Sequence, residues 1–133
     1  MTLAVVDASV LAAFYAADDA RHARVAERLS IGDALFAPAH LDVEIASALR
    51  GMALGNPGVD RIAPDALAHL ADFPIRRMPL PPLLHRAWEL RHHLTVYDAA
   101  YVALAERLNA VLVTCDTKLA HASGPKCTFE HIA

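Results

Sequence analysis

A chain of 133 residues with 12 basic and 15 acidic side chains, net charge −3 with histidine neutral, can build one domain with a real core and lacks the overall basic excess of nucleic-acid-binding domains. Two cysteines exclude a disulfide scaffold, no apolar run reaches the ~20 residues of a membrane span, and Met1-Thr2-Leu3 carries no basic leader. The expectation is one soluble, unprocessed, cytoplasmic domain over 1–133. Hydrophobic residues make up 56% of the chain against a usual ~45–50%, and the surplus, much of it alanine, means either an unusually complete core or apolar surface kept for a partner.

Leu3-Ala4-Val5-Val6 is a short β-branched apolar run that stops at Asp7, and periodic apolar residues resume at once. That reads as a buried parallel strand, a tight turn and a helix from Ser9 to Ala17. A second helix covers Ala20 to Leu29, with Val25 and Leu29 on its buried face and Arg21, Arg24 and Arg28 in a stripe paired with Asp18 and Glu27. Ala34 to Ala37 is the second strand. Pro38 then suits the first turn of a helix whose apolar stripe is Leu41, Ile45, Leu49 and Met52. Asn56-Pro57-Gly58 reads as a loop, and Pro64-Asp65 opens a helix through Ala71. Pro74 to Pro79 holds a short strand, placed at a sheet edge by its prolines. Pro81-Pro82 opens a helix bearing Leu84, Ala87, Trp88 and Arg91. Thr95 to Leu108 is the next helix, closed by Asn109. Ala110 to Thr114 is another strand, Asp116 to His121 a short helix, and Cys127 to Ile132 a final short strand. Strand and helix alternating over the whole length predict an α/β fold with a parallel sheet.

In an open parallel sheet, ligands bind beyond the carboxyl ends of the strands. Asp7 sits at such an end, and Val111-Leu112-Val113-Thr114-Cys115-Asp116 repeats the pattern, with Ser9 and Thr114 each two residues from an acid. Glu44 lies three residues after Leu41 and so flanks an apolar helix stripe. Asp98 shares the core-facing side of its helix with Tyr101 and Val102. Each acid has a plain structural explanation: Asp7 and Asp116 as helix caps, Glu44 as a rim residue, Asp98 as part of a Thr95-x-x-Asp98 capping box. Four clustered carboxylates repel one another, however, and persist where a cation fills the cluster. All-oxygen ligands suit Mg2+ or Mn2+. The eight histidines form no HExxH and the cysteines no CxxC, so zinc does not fit.

The ordered set carries a family resemblance. Val6-Asp7-Ala8-Ser9, then Glu44 before Ile45-Ala46-Ser47-Ala48-Leu49-Arg50, then Leu94-Thr95-Val96-Tyr97-Asp98 through Ala105, and Leu112-Val113-Thr114-Cys115-Asp116 resemble a PIN-domain ribonuclease of the VapC type, the toxin of a VapBC toxin–antitoxin pair. The resemblance implies a three-layer sandwich, with a mostly parallel sheet of four to five strands between helices. It implies that Asp7, Glu44, Asp98 and Asp116 are the catalytic and Mg2+-binding acids (Mn2+ being the other candidate), and that Ser9 and Thr114 are accessory hydroxyls. It further implies an RNA substrate and a VapB-type antitoxin. A homodimer is expected because C2 pairs are the commonest closed assembly, and no membrane association is expected because no apolar run is long enough. Gly51 to Pro82 carries nothing diagnostic. Two other readings remain open: a non-catalytic binding module on the same fold, and a Mg2+-dependent phosphoryl-transfer enzyme. The second is disfavoured because an aspartyl-nucleophile phosphatase wants an acid where this chain has Ser9. A dinucleotide enzyme is disfavoured further by the lack of GxGxxG.

Overall fold

The structure, a computed structural model, describes residues 2–133. Five strands form one wholly parallel sheet: β1 (Leu3–Val6), β2 (Ala34–Pro38), β3 (Ile75–Met78), β4 (Val111–Thr114) and β5 (Phe129–His131), in the order β3-β2-β1-β4-β5. Helices α1 (Ala8–Tyr15) and α2 (His22–Leu29) follow β1, while α3 (Leu41–Ala53) and α4 (Pro57–Ala71) follow β2. A 3-10 turn at Pro81–Leu83, α5 (Leu84–Glu89) and α6 (Val96–Leu108) lead from β3 to β4, and α7 (Thr117–Ala120) leads on to β5.

The chain moves outward from β1 through β2 to β3, then returns to the other side of β1 for β4 and β5. Right-handed crossovers running in opposite directions place their helices on opposite faces of a sheet. Hence α1 to α4 cover one face and α5 and α6 the other, which makes the expected three layers. The central strands are buried on both sides: Ala4, Val5 and Val6 of β1 and Leu112 and Val113 of β4 are at most 1% exposed. That is why they read as unbroken apolar runs rather than alternating ones. Helix α6 is buried over Ala99–Ala105 because it lies across β1, β2 and β4 while α5 covers its back.

Several local expectations are corrected. Pro38 does not start a helix. It is the last residue of β2, paired with Met78 of β3, and Ala39 donates the next N–H to the Met78 carbonyl. Proline is tolerated at a strand terminus because the missing donor is not missed there. The predicted loop Asn56-Pro57-Gly58 is a helix start: the Asn56 side chain accepts from the Gly58 and Val59 N–H groups and Pro57 takes the first helical position. Pro64 therefore lies inside α4. The arginine stripe of α2 is paired, but not with Asp18 and Glu27. Arg21 holds Asp19, Arg28 holds Asp33 and Glu130, and Arg24 reaches the Ala133 backbone oxygen, so the stripe ties α2 to the end of the sheet. The strand between prolines is indeed an edge strand, and Asn109 closes α6 in the left-handed conformation, φ 51°. No helix among the described residues is long and apolar enough to cross a membrane.

Candidate active site at the carboxyl end of the sheet

The strand order reverses between β1 and β4, and the crevice at such a reversal is where open α/β sheets bind ligands. Asp7 follows β1 and Asp116 lies just beyond β4, one on each side of it.

Asp7 is the one charged residue among the described residues that is buried, at 5% exposure. It occupies the N-cap position of α1 but makes no capping hydrogen bond. Its carboxylate turns instead to two hydroxyls: Ser9 Oγ donates to Oδ2 at 2.7 Å and Thr114 Oγ1 donates to the same oxygen at 2.6 Å. Each hydroxyl is oriented in turn by a backbone donor. Cys115 N–H donates to Ser9 Oγ at 3.0 Å and Asp116 N–H to Thr114 Oγ1 at 2.9 Å. The first residues past β4 thus fix the hydroxyls, and the hydroxyls fix the acid. Burial drives the Asp7 carboxyl above its ordinary range, the hydroxyls of Thr114 and Ser9 pull it back, and the charge of Asp116 adds to the rise.

Asp116 does serve as a helix cap, its Oδ1 accepting from Lys118 N at 2.9 Å and Leu119 N at 3.3 Å. Asp98 sits in the first turn of α6. Half of the expected capping box is present, with Asp98 N–H donating to Thr95 Oγ1 at 3.1 Å. The Asp98 carboxyl is pushed up to about 6, by burial first and then by the negative charges of Asp7, Asp116 and Glu44. Asp7, Asp116 and Glu44 thus all lie within electrostatic reach of Asp98, and Asp116 within reach of Asp7. Glu44 projects from the first turn of α3, with Oε1 3.3 Å from His40 Nε2.

The donors are all oxygen, as Mg2+ prefers, and no cationic group is among the causes acting on Asp98. Among the described residues, however, no three His, Cys, Asp or Glu side chains converge closely enough to enclose a metal ion. That set suits a largely hydrated ion, since Mg2+ keeps several waters and takes one or two carboxylates directly. Sequence reading passed over two neighbours of Glu44: His40, which only the i,i+4 spacing could have flagged, and Tyr101, which read simply as core.

Residues 4–125 match the PIN domain family. Ribonuclease VapC12 of Mycobacterium tuberculosis is 41% identical over 111 residues, covering 84% of this chain and 85% of that protein. The chain belongs to the VapC branch of the PIN-domain family. The crystal structure of Mycobacterium tuberculosis VapC20, described as a Sarcin-Ricin loop cleaving toxin, superposes on this PIN domain with a TM-score of 0.70 at 23% identity, over 87% of this chain and 92% of that one. VapBC2 from Rickettsia felis, solved bound to a DNA fragment from its promoter, gives 0.68 at 11% identity over 99% and 100%. At those identities the likeness is one of fold.

Proposed function

We propose that this PIN domain is a Mg2+-dependent endoribonuclease and the toxin of a toxin–antitoxin pair. The observation that carries the reading is the gathering of acids at the crevice where the strand order reverses, with the Asp98 carboxyl raised to about 6 by burial first and then by the charges of Asp7, Asp116 and Glu44. Negative charge gathered at that crevice suits a site that takes up a cation. The relationship to proteins named as VapC ribonucleases supplies the substrate class.

Asp7, Glu44 and Asp98 would hold Mg2+ or Mn2+ directly or through water, with Asp116 holding a water or a second ion. When bound, the ion would supply an acidified water for attack on a phosphodiester and neutralise charge developing on the phosphate oxygens. The chain itself supplies orientation. Ser9 and Thr114 hold Asp7 by Oδ2 and leave Oδ1 for another partner. The first turn of α6 presents Asp98, and the cap that Asp116 makes at α7 fixes its carboxylate while its backbone N–H holds Thr114.

An antitoxin would bring an apolar helix to the surface and a basic side chain to the acids. Leu49, Ala53, Leu54, Ala63 and Leu67 line a recess of about 540 Å3 between α3 and α4, and Leu54 is 80% exposed. The chain would also pair as a C2 homodimer, the commonest closed assembly.

The test is incubation of the purified chain with total RNA in Mg2+ and in EDTA, beside Asp98→Asn, a change that removes charge and little volume. Cleavage by wild type in Mg2+ alone, with none by the variant, is expected; equal cleavage by both overturns the assignment. Expression without a partner should arrest growth and Asp7→Ala should relieve the arrest, whereas equal growth counts against the toxin role.

A further inference from the structure

Three polar atoms beside the acids are buried without a hydrogen bond: His40 Nδ1, Glu44 Oε1 and Tyr101 Oη. An unsatisfied buried polar group keeps the cost of leaving water with no bond in return, and native structures hold few of them. Here three fall in one cluster. The His40 ring lies 5.0 Å from the fully buried Tyr101 ring, and His40 Nε2 is 3.3 Å from Glu44 Oε1. The same nitrogen lies 3.0 Å from the Tyr97 carbonyl oxygen. A carbonyl can only accept, so Nε2 carries a proton and donates it to the first turn of α6, one residue before Asp98. Glu44 sits close to that N–H but off its direction. The Tyr101 hydroxyl is pushed far above its ordinary range by burial and then by Glu44, so it stays a neutral donor facing the carboxylate.

We propose that His40 is a positioning residue, its Nε2 N–H clamping the start of α3, which carries Glu44, to the start of α6, which carries Asp98, so that the two acids are presented to one ion. The proposal rests on the reading of the acids as the nuclease site. Two helices from opposite faces of the sheet meet here, and the His40 donor to Tyr97 is the hydrogen bond that links them beside both acids. Because the cluster leaves polar atoms unpaired, it is not a device for stability. An apolar ring at position 40 should therefore keep the fold and loosen the acids.

The experiment compares wild type, His40→Phe, His40→Gln and Asp98→Asn. It measures the melting temperature across a Mg2+ titration, together with kcat and KM for an RNA that wild type cleaves. His40→Phe should melt no lower than wild type in EDTA, yet need about tenfold more Mg2+ for half of the thermal shift, the low end of what losing a supporting contact to a metal ligand does. Its kcat should fall with KM unchanged. His40→Gln places an amide N–H near the position of Nε2 and should lie within about threefold of wild type on the same scale. A wild-type Mg2+ midpoint and kcat for His40→Phe, with Asp98→Asn inactive, overturns the clamp and leaves the nuclease reading standing. Full cleavage by Asp98→Asn removes that reading and the clamp with it. If His40→Phe shows no folding transition, His40→Gln against His40→Asn decides, since the shorter amide falls short of Tyr97; equal midpoints overturn the clamp.

Discussion

Asp98 links charge to stability with a definite sign. Its carboxyl stands near 6 in the folded protein, above the ordinary 3.8, so the native state holds a proton that the unfolded chain has already lost. Stability of the metal-free protein should then fall as pH rises from about 4 to about 6. The raised Asp7 carboxyl acts in the same direction. Melting curves in EDTA across that window should show the fall in wild type and a shallower one in Asp98→Asn; a flat wild-type profile would contradict it. Thr114 tests the other force on the acids. Thr114→Val keeps the shape but removes both the donor to Asp7 and the acceptor for Asp116 N–H. A loss of about 2 kcal/mol at neutral pH is expected in denaturant titrations, shrinking as acid neutralises Asp7. At this scale the sequence showed which acids end strands or flank helix stripes. It did not show which would be caps. Asp7 and Asp116 carry the same local pattern, yet only Asp116 caps, because Asp7 finds Thr114 across 107 positions and local spacing contains no trace of that partner.

Among the elements, Arg77 at the sheet edge is the strongest polar tie. Its guanidinium donates twice to Asp42 of α3, at 2.8 and 3.2 Å, and also to the carbonyls of Leu70, Phe73 and Ile75. One planar fork thereby joins α3, the end of α4 and β3. Lysine cannot reproduce it. Arg77→Lys should cost about 2 kcal/mol, read as a lower denaturant midpoint with unchanged slope. Apolar runs and helix stripes were legible because burial on both faces imposes them. The prolines were not. Pro38 and Pro57 occur where a proline is tolerated, at a strand end and a helix start, whereas Pro64 lies inside a helix, where it removes a backbone hydrogen bond. Only pairing with Met78 and capping by Asn56 decide which.

For the whole molecule, the carboxylates make folding and cation uptake compete for the same charge. In EDTA at neutral pH, Asp7→Asn should melt above wild type, by about 4 °C for each kcal/mol of repulsion removed. On the proposed reading Mg2+ should raise wild type much more, since an ion held by the folded site and not by the unfolded chain stabilises the fold. Were Asp7 a cap after all, the variant would melt lower in both conditions, by about 1 kcal/mol. Melting both proteins with EDTA and with Mg2+ separates the outcomes.

The reversal of strand order between β1 and β4 also sets a timetable. β1 is made first and lies at the centre of the sheet, but its partner on one side, β4, is not synthesised until residue 111. Until Thr114 has emerged, Asp7 lacks the hydroxyl that holds it, and Asp116 does not yet exist. Contacts of such long separation form late in folding. A chain still on the ribosome therefore holds Asp7 and Glu44 without the frame that assembles them with Asp116. On the proposed reading, the nuclease site cannot be complete before residue 116 has been made, and its chemistry waits until then.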